Sequence, residues 1–538
     1  MASHVEVPVT IVGGSLVGLS AGLLLAQQGV RPLIIERHPG TAIHPRAAHA
    51  TQRTMEILRA ADLEAAIRAR SAEQFVQDGG VVEVETLVGG ATRQFIADLN
   101  AGVRDVSPCE RVFLSQNSLE PLIMESARRL GAEVRFSTEV ISMDEDSAGV
   151  TTLLRDRKSG ATSSARSSYL IAADGAHSTV RQRLGIGMRG QPPFSKSITI
   201  YFRADLRSLL ADRQWAVVYV NNPRLRGFFR FEKPFDSAFL VVNTEGDRAH
   251  PVTDVSSGLT PERARGFVAC ALGSEDIPVT IDSIMHWEAA AQVAERLQTD
   301  RVFIAGDAAH VMPPTGGFGG NTGVQDVHNL AWKLARVLKR EAPSALLATY
   351  EAERRPVAKL SVEQARTRYV LRTDPSLGPE RCEPLVGELD IELGYVYRSR
   401  AIVSEQPDDG AAHMSPRESH ARPGTRAPHF ALARQGQRLS SLDLYGRRFV
   451  LLAGPKADEW CRCARMAATE ETIDLDIHRP GEGGLEDPTG RLSETHMIEP
   501  DGCVLVRPDG FVAWRARDSK LASVETVKSV LSRAHGRQ

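Results

Sequence analysis

Residues 5–36 decide the fold and read VEVPVTIVGGSLVGLSAGLLLAQQGVRPLIIE. Residues 5–12 are rich in Val and Ile and predict a buried strand, which a glycine turn follows at residues 13–18. An apolar helical stretch comes next, with Gly29 placed to end it, and a second strand closes on Glu36. Strand, glycine turn, helix, strand and terminal acid, in this order, are typical of a Rossmann-type dinucleotide site.

Each position of the turn has a physical task. Gly13 lets the chain turn tightly, and Gly18 lets the helix pack closely on the sheet. Amides at the helix N-terminus would face a pyrophosphate, and Glu36 would accept hydrogen bonds from the ribose hydroxyls. Ser15 departs from the usual pattern, because a second glycine is expected there, and the turn alone does not separate FAD from NAD. The predicted cofactor-binding positions in this unit are Gly13, Gly14, Ser15, Leu16, Val17, Gly18, Glu36 and Arg37.

The composition is that of an ordinary globular protein. The 538 residues carry a formal net charge of -2, with 42% hydrophobic and 25% charged residues. This length exceeds one hydrophobic core, so about two or three domains are expected. The spread of basic residues argues against a nucleic-acid or membrane partner, and the six cysteines fit neither a disulfide framework nor a metal site. The apolar run at 16–35 has no basic leader, so we expect a cytoplasmic protein.

Two further motifs lie at the carboxyl ends of predicted strands. Residues 169–181 read YLIAADGAHSTVR, and residues 301–307 read RVFIAGD. The second is followed by AAHVMPPTGGFGGNTGVQDVHNLAWKLA and, later, by YEAERRP. Asp307 at a strand end could hold a ribityl hydroxyl, although a helix N-cap is an alternative. The glycine run at 316–323 leads into a helix whose N-terminal amides would point at the flavin edge that becomes negative on reduction.

With these three motifs in order, the chain resembles the group A FAD-dependent aromatic hydroxylases, the family of p-hydroxybenzoate and phenol hydroxylases. It is most similar to the members that hydroxylate chlorophenols and aromatic polyketides, over roughly residues 5–400 and into the tail. The resemblance implies bound FAD, with NADPH or NADH as a transient reductant, since no second dinucleotide fingerprint is present. It adds as cofactor-binding residues Arg46, Gln116, Asp174, Gly306, Asp307, Pro314, Gly317, Gly319, Gly320, Asn321 and Thr322.

The implied fold is an α/β Rossmann-type FAD-binding domain with an inserted antiparallel β-sheet substrate domain and a thioredoxin-like C-terminal domain. We place the FAD-binding domain at 1–185 and 286–400 and the substrate sheet at 186–285, with parts of 75–110. A linker at 401–425 precedes the last domain at 426–538. That domain lacks a redox C-x-x-C, although Cys461 and Cys463 lie near its expected place, so we interpret it as structural or as a contact between subunits.

The middle segment carries aromatic side chains suited to a flat substrate. Seven candidates for the pocket lie there, although a place in the sheet core is the alternative for each: Tyr201, Trp215, Tyr219, Phe228, Phe229, Phe231 and Trp287.

The reaction implied by the resemblance is monooxygenation of a phenolic or polyketide aromatic compound by O₂ through a flavin C4a-hydroperoxide, as in the tailoring of antibiotics. Ionising a phenol needs a base or a cation. By its position after the ERRP segment, Arg366 matches an arginine that the resembled polyketide hydroxylases place in the pocket, and Tyr219 and His49 are further candidates, with a solvated or packing position as the alternative for each. Baeyer–Villiger insertion or epoxidation by the same fold is one alternative. An NAD-dependent dehydrogenase and a non-catalytic flavin-binding protein are others.

Overall fold

The computed structural model describes residues 4–45, 49–246, 251–405, 407 and 409–537. The helices are α1 (Leu16–Gln27), α2 (Gln52–Arg59), α3 (Glu64–Gln74), α4 (Gln116–Arg129), α5 (Thr179–Arg183), α6 (Arg207–Leu210), α7 (Pro261–Leu272), α8 (Phe318–Leu338), α9 (Thr349–Arg372), α10 (Glu388–Leu393), α11 (Asp458–Glu471), α12 (Leu492–His496) and α13 (Val524–Ala534). None of them is long and apolar enough to cross a membrane, as judged over the described ranges.

The strands are β1 (His4–Val12), β2 (Leu33–Ile35), β3 (Gly80–Val84), β4 (Ala91–Ile96), β5 (Glu133–Arg135), β6 (Thr138–Glu145), β7 (Val150–Asp156), β8 (Thr162–Ala172), β9 (Met188–Arg203), β10 (Trp215–Asn221), β11 (Leu225–Glu232), β12 (Ser237–Glu245), β13 (Thr280–Ala294), β14 (Val302–Ile304), β15 (His310–Val311), β16 (Ala431–Arg434), β17 (Gln437–Ser440), β18 (Phe449–Ala453), β19 (Leu475–His478), β20 (Leu485–Glu486), β21 (Cys503–Val506) and β22 (Val512–Ala516). They form four sheets in the described part of the chain.

Local chemistry sets several helix bounds. The Thr51 side chain accepts a hydrogen bond from the Thr54 amide and so caps α2. Thr260 caps α7 in the same way, and Pro261 follows at the first helical position, where no amide hydrogen is needed. Gly273 ends α7 in the left-handed conformation, with φ of 82°.

The first sheet has the strand order β5-β2-β1-β8-β7-β6, and β14 pairs with the last residues of β8. Strands β5, β2, β1, β8 and β14 run parallel, so their carboxyl ends meet at one edge. Gly13, Glu36, Asp174 and Asp307 each follow one of these strands within three residues. We call this edge the strand-end edge. The fold therefore gathers the three sequence motifs in one place.

The second sheet has eight strands in the order β15-β13-β9-β12-β11-β10-β3-β4. It takes in the two strands from 80–96 and continues past residue 285, because β13 runs to Ala294. One face packs on α7 with a hydrophobic core, and the other faces the strand-end edge. The domain bounds drawn from the sequence stay a prediction.

The C-terminal part contains a three-stranded sheet and a four-stranded sheet of order β19-β18-β21-β22. Strand β18 is parallel to β19 and antiparallel to β21, and α11 and α13 pack together beside them, which is the thioredoxin-like arrangement. Cys461 and Cys463 lie buried on α11 as free thiols. Burial raises the pKa of the Cys461 thiol, whereas thiol–disulfide catalysts need a lowered one.

Candidate active site

The glycine turn ties the first two strands together. Gly13 has φ of 105°, and a Cβ there would lie 2.2 Å from the Ala173 carbonyl oxygen, so only glycine fits. The amide of Gly13 donates to the Ile35 carbonyl at 2.8 Å, and the Gly14 amide donates to Glu36 Oε2 at 2.7 Å. The turn thus holds Glu36 at the strand-end edge.

Ser15 takes part in a buried hydrogen-bond cluster with helix α4. Its Oγ donates to Glu120 Oε1 at 2.6 Å and accepts from Gln116 Nε2 at 2.6 Å. The other oxygen of Glu120 accepts from the Ala42 amide at 2.6 Å. The serine side chain is therefore bonded to α4, which explains how it replaces the expected glycine. The sequence analysis missed Glu120, although its place one helical turn after Gln116 is a usable signal.

We expect the substitution Glu120→Gln to weaken FAD binding about tenfold. The amide nitrogen of the glutamine would face one of the hydrogen-bond donors from which the carboxylate now accepts, and that hydrogen bond would be lost. Titration of the apoprotein with FAD measures this change. Glu125→Gln is the matched control, since Glu125 lies exposed on the same helix. Equal FAD affinity in both variants would show that the cluster does not position the cofactor.

The second and third motifs are joined by Arg181. Its Nη1 donates to the Ala308 carbonyl at 2.9 Å, directly after Asp307. Ser178 caps α5, and the Asp174 carboxylate holds the start of that helix by accepting from Ser178 Oγ at 2.5 Å and from the Thr179 amide at 2.8 Å. The Asp307 side chain lies exposed at the end of the buried β14 and lines the cavity described below.

A buried network fixes the backbone beneath Asp307. Asp326 Oδ2 accepts from the Gly306 amide at 3.1 Å and lies 2.7 Å from His310 Nε2. Asp326 Oδ1 accepts from Arg354 Nε at 2.8 Å. Burial opposes ionisation of Asp326, but His310 and Arg354 together hold its pKa below the ordinary value. His310 is fully enclosed, so its role is structural.

The N-terminus of α8 lies on the same side of the site as the strand-end edge. Gly317 has φ of 65°, and a Cβ there would lie 1.7 Å from His49 Cε1, so the glycine lets His49 approach the helix. Asn321 Oδ1 accepts from the Thr51 amide at 2.9 Å, which holds the start of α2 against α8.

Three of the predicted cofactor residues have other surroundings. Val17 packs under Gly306, and Thr322 is buried with its Oγ1 3.3 Å from Ser361 Oγ. Arg37 is exposed after β2. Arg46 lies outside the described residues.

A cavity of about 1000 Å³ separates the α8 N-terminus from the eight-stranded sheet. On the side of the strand-end edge it is lined by Leu16, Asp307, Pro314, Gly317, Gly319, Gly320 and Asn321. On the sheet side a row of paired residues crosses neighbouring strands: Met285, Thr199, Val241, Phe228 and Tyr219.

Strand alternation sorts the predicted aromatic residues. Tyr201, Tyr219, Phe228 and Trp287 line the cavity. Phe229 and Phe231 pack instead in the core against α7 on the other face, because successive side chains of a strand point to opposite sides. Trp215 joins them there because the register of β10 shifts between Trp215 and Val217.

Two family models match this chain. The model described as "FAD binding domain" matches residues 6–365, and the model described as "Aromatic-ring hydroxylase, C-terminal" matches residues 420–537. The chain belongs to the FAD-dependent aromatic-ring hydroxylases. This confirms the family, the fold class and the cofactor expected from the three motifs. The glycine positions where a Cβ would collide and the carboxylates of Glu36 and Asp307 at the strand-end edge fit a dinucleotide of this kind.

The relatives agree on the activity class. A 4-methyl-5-nitrocatechol 5-monooxygenase from Burkholderia sp. is 49% identical, with 98% of each chain covered. Aklavinone 12-hydroxylase from Streptomyces purpurascens is 36% identical, also with 98% of each chain covered. The crystal structure of an aklavinone-11 hydroxylase with FAD and aklavinone has a TM-score of 0.92, 36% identity and 99% coverage of each chain. The hydroxylase described here is thus an FAD-dependent monooxygenase, and NADPH or NADH is the reductant.

The cavity wall of this hydroxylase carries cations that the sequence analysis missed. The guanidinium of Arg230 lies between the rings of Phe75 and Phe113, 4.7 and 4.6 Å from their centroids. Its Nη1 donates to the Ala216 carbonyl at 2.7 Å, and burial lowers its pKa to about 9. Arg111, which is ion-paired to Glu392, lines the same cavity. Arg230 lies between Phe229 and Phe231 in β11, so alternation alone could have placed it opposite the core.

His49 lines the cavity beside these arginines, and its ring lies 6.0 Å from that of Phe113. Burial, then Arg111 and Arg230, hold its pKa well below the ordinary value. Its Nε2 is buried and makes no hydrogen bond with any residue that the structure describes. His49 is therefore a neutral imidazole near pH 7.

The prediction that Arg366 lies in the pocket is wrong. Its Nη1 donates to the Arg381 carbonyl at 3.3 Å, and the residue does not line the cavity. Arg372, on the same helix, does line it and lies over the Phe95 ring at 5.6 Å. The placement of Arg366 rested on its distance from the ERRP segment, which does not fix the side of α9 that a residue faces.

Proposed function

We propose that this monooxygenase hydroxylates a small phenol of the catechol class, bound as its phenolate anion against the eight-stranded sheet. The observation that carries the proposal is the buried Arg230 guanidinium in an aromatic wall, with Arg111 lining the same cavity. Cations in an apolar site stabilise the ionised form of a bound phenol, because the low local dielectric strengthens their field. The relative acting on a nitrocatechol supports this choice, since a nitro group makes a phenol ionise readily.

In this proposal His49 is the first acceptor of the phenolic proton. A neutral imidazole with an unoccupied Nε2 can accept that proton, and its depressed pKa means that it passes the proton on rather than keeping it. The Tyr219 ring lies 5.8 Å from the Phe95 ring and 5.9 Å from the Phe228 ring, and we assign it to orienting the substrate ring.

We assign the flavin end of the cavity to Asp307, for a ribityl hydroxyl, and to the N-terminal amides of α8, for the pyrimidine edge of the ring. FAD held there would supply hydride uptake from NADPH or NADH and the transfer of one atom of O₂ to the aromatic ring, with the other atom lost as water. The residues of the chain bind and orient the phenolate, take up its proton first at His49 and keep water out.

The direct test measures substrate-stimulated oxidation of NADPH and NADH for a panel of phenols, catechols and nitrocatechols, with mass analysis of the products. Isotopically labelled O₂ should place one labelled oxygen on the ring. Stimulation by polycyclic polyketides alone would overturn the substrate class, and a lactone product would indicate Baeyer–Villiger chemistry.

We expect the substitution His49→Asn to lower kcat about tenfold for a phenol that is neutral at the assay pH. A nitrophenol that is already ionised should lose much less, because no proton has to leave it. Steady-state kinetics with such a pair of substrates separates proton transfer from packing. An equal loss for both substrates would contradict the role of His49 as proton acceptor.

A further inference from the structure

The tip of the last β-hairpin, Arg507–Phe511, is buried against the FAD-binding part of the chain. We call it the hairpin tip. Arg507 is 0% exposed, and Asp509 and Phe511 are each 1% exposed. It joins β21 to β22 in the C-terminal domain, yet its residues contact helices α2, α8 and α9. No step of the proposed reaction uses these residues.

Arg507 makes a bidentate ion pair with Glu353 on α9. Its Nη1 donates to Glu353 Oε1 at 2.6 Å, and its Nη2 donates to Oε2 at 2.9 Å. Lys333 on α8 donates to the same Oε2 at 2.7 Å. Burial opposes ionisation of Glu353, but Arg507 and Lys333 hold its pKa far below the ordinary value. Removing one partner of such a group leaves a buried charge uncompensated, which is costly.

The next residue on α9 continues the connection to the strand-end edge. Arg354 donates through Nε to Asp326 Oδ1 at 2.8 Å, and Asp326 Oδ2 accepts from the Gly306 amide. Gly306 directly precedes Asp307, which we assign to the flavin chain. Arg354 Nη2 also donates to the Thr322 carbonyl at 3.2 Å, in the first turns of α8.

Two more contacts of the hairpin tip reach the same region. Phe511 stacks on Tyr397 with ring centroids 4.0 Å apart, and the Tyr397 hydroxyl accepts from Arg354 Nη1 at 3.0 Å. The Asp509 carbonyl accepts from Arg53 Nη2 at 2.6 Å. Arg53 lies in the first turn of α2, which begins three residues after His49.

We propose that Arg507 is a positioning residue through which the C-terminal domain holds the flavin-binding edge in its binding geometry. The ion pair with Glu353 fixes α9, and Arg354 and Asp326 transmit that position to the Gly306–Asp307 turn and to α8. The C-terminal domain thereby contributes to cofactor binding without a residue of its own at the strand-end edge.

The test compares Arg507→Met with Arg515→Met in the full-length chain. Arg515 is also a nearly buried arginine of the C-terminal domain with a bidentate carboxylate partner, but that partner is Glu405, away from α8 and α9. We expect Arg507→Met to raise the dissociation constant of FAD about tenfold, measured by titration of the apoprotein. Arg515→Met should lower the melting temperature of the apoprotein and leave the FAD dissociation constant within about twofold.

Arg507→Lys keeps the buried positive charge but loses the bidentate hydrogen bonding to Glu353. It replaces the Met variant in the test if that variant does not fold. We expect it to weaken FAD binding severalfold and to raise the NAD(P)H consumed per product formed, since a misplaced flavin reacts less often with substrate. An FAD dissociation constant and coupling ratio equal to those of the wild type in folded Arg507→Lys would overturn the proposal. So would an equal loss of FAD affinity in Arg515→Met.

Discussion

Replacing Gly18 by alanine is expected to abolish FAD binding, so that the variant purifies without its yellow colour. A Cβ at this position would lie 1.8 Å from the Gly13 carbonyl oxygen and 3.4 Å from Ile11 Cγ2. The Gly13 carbonyl cannot move away, because the amide of the same residue donates to the Ile35 carbonyl and the next amide donates to Glu36. Helix α1 would have to move off the sheet and carry its N-terminal amides away from the pyrophosphate. We expect a loss of FAD affinity of about a hundredfold or more.

Gly266→Ala is the matched control, because Gly266 also lies within a helix, α7, and a Cβ there would meet nothing within 4 Å. Its higher helix propensity should stabilise the protein by about 0.5–1 kcal/mol, with FAD content unchanged. Flavin absorbance and thermal melting distinguish the two variants. A fully loaded Gly18→Ala variant would mean that the glycine turn does not hold the cofactor.

Arg230→Met should lower kcat/KM for an ionised phenol about a hundredfold, which corresponds to about 2.7 kcal/mol. The methionine keeps apolar bulk between Phe75 and Phe113 but removes the charge that we assign to the phenolate. In this variant, the affinity for a phenol that stays neutral should fall less than the affinity for an ionised nitrophenol of similar size. Binding is measured by the change in flavin absorbance on titration with each ligand.

Arg213→Met controls for the loss of an arginine stacked on an aromatic ring. Arg213 lies 4.6 Å from the Trp215 centroid and donates to the Leu87 carbonyl at 2.7 Å, outside the cavity. It should keep wild-type affinity for both ligands. If Arg230→Met bound the ionised and neutral phenols with the same relative loss, the phenolate assignment would be wrong.

The strand-end edge could be predicted because each of its parts is a local pattern. Gly13, Glu36, Asp174 and Asp307 all follow short apolar runs, and parallel strands bring such positions together regardless of their distance along the chain. The serine at position 15, where a glycine is expected, can be explained only from the folded structure, since its partners Gln116 and Glu120 lie about a hundred residues away.

The substrate side was harder to predict because its residues come from strands and loops whose order in the sheet is not encoded locally. Arg111 comes beside His49 through the bridge between Ala50 and Val112, and Arg230 comes from β11 of the eight-stranded sheet. The error at Arg366 has a related cause, because an offset along a helix leaves its rotation undetermined. The contacts of the hairpin tip depend on domain packing, for which the sequence carries no short motif.

One face of the eight-stranded sheet lines the cavity and the other packs on α7. This separation affects which substitutions the protein can accept during evolution. Side chains such as Val241 and Phe228 face the cavity, while their neighbours Val242 and Phe229 pack in the core on α7. A substitution at a cavity-facing position alters the shape offered to an incoming ring and leaves the packing behind it intact. New substrate ranges can therefore arise by single steps on one face, with little loss of folding stability at each step.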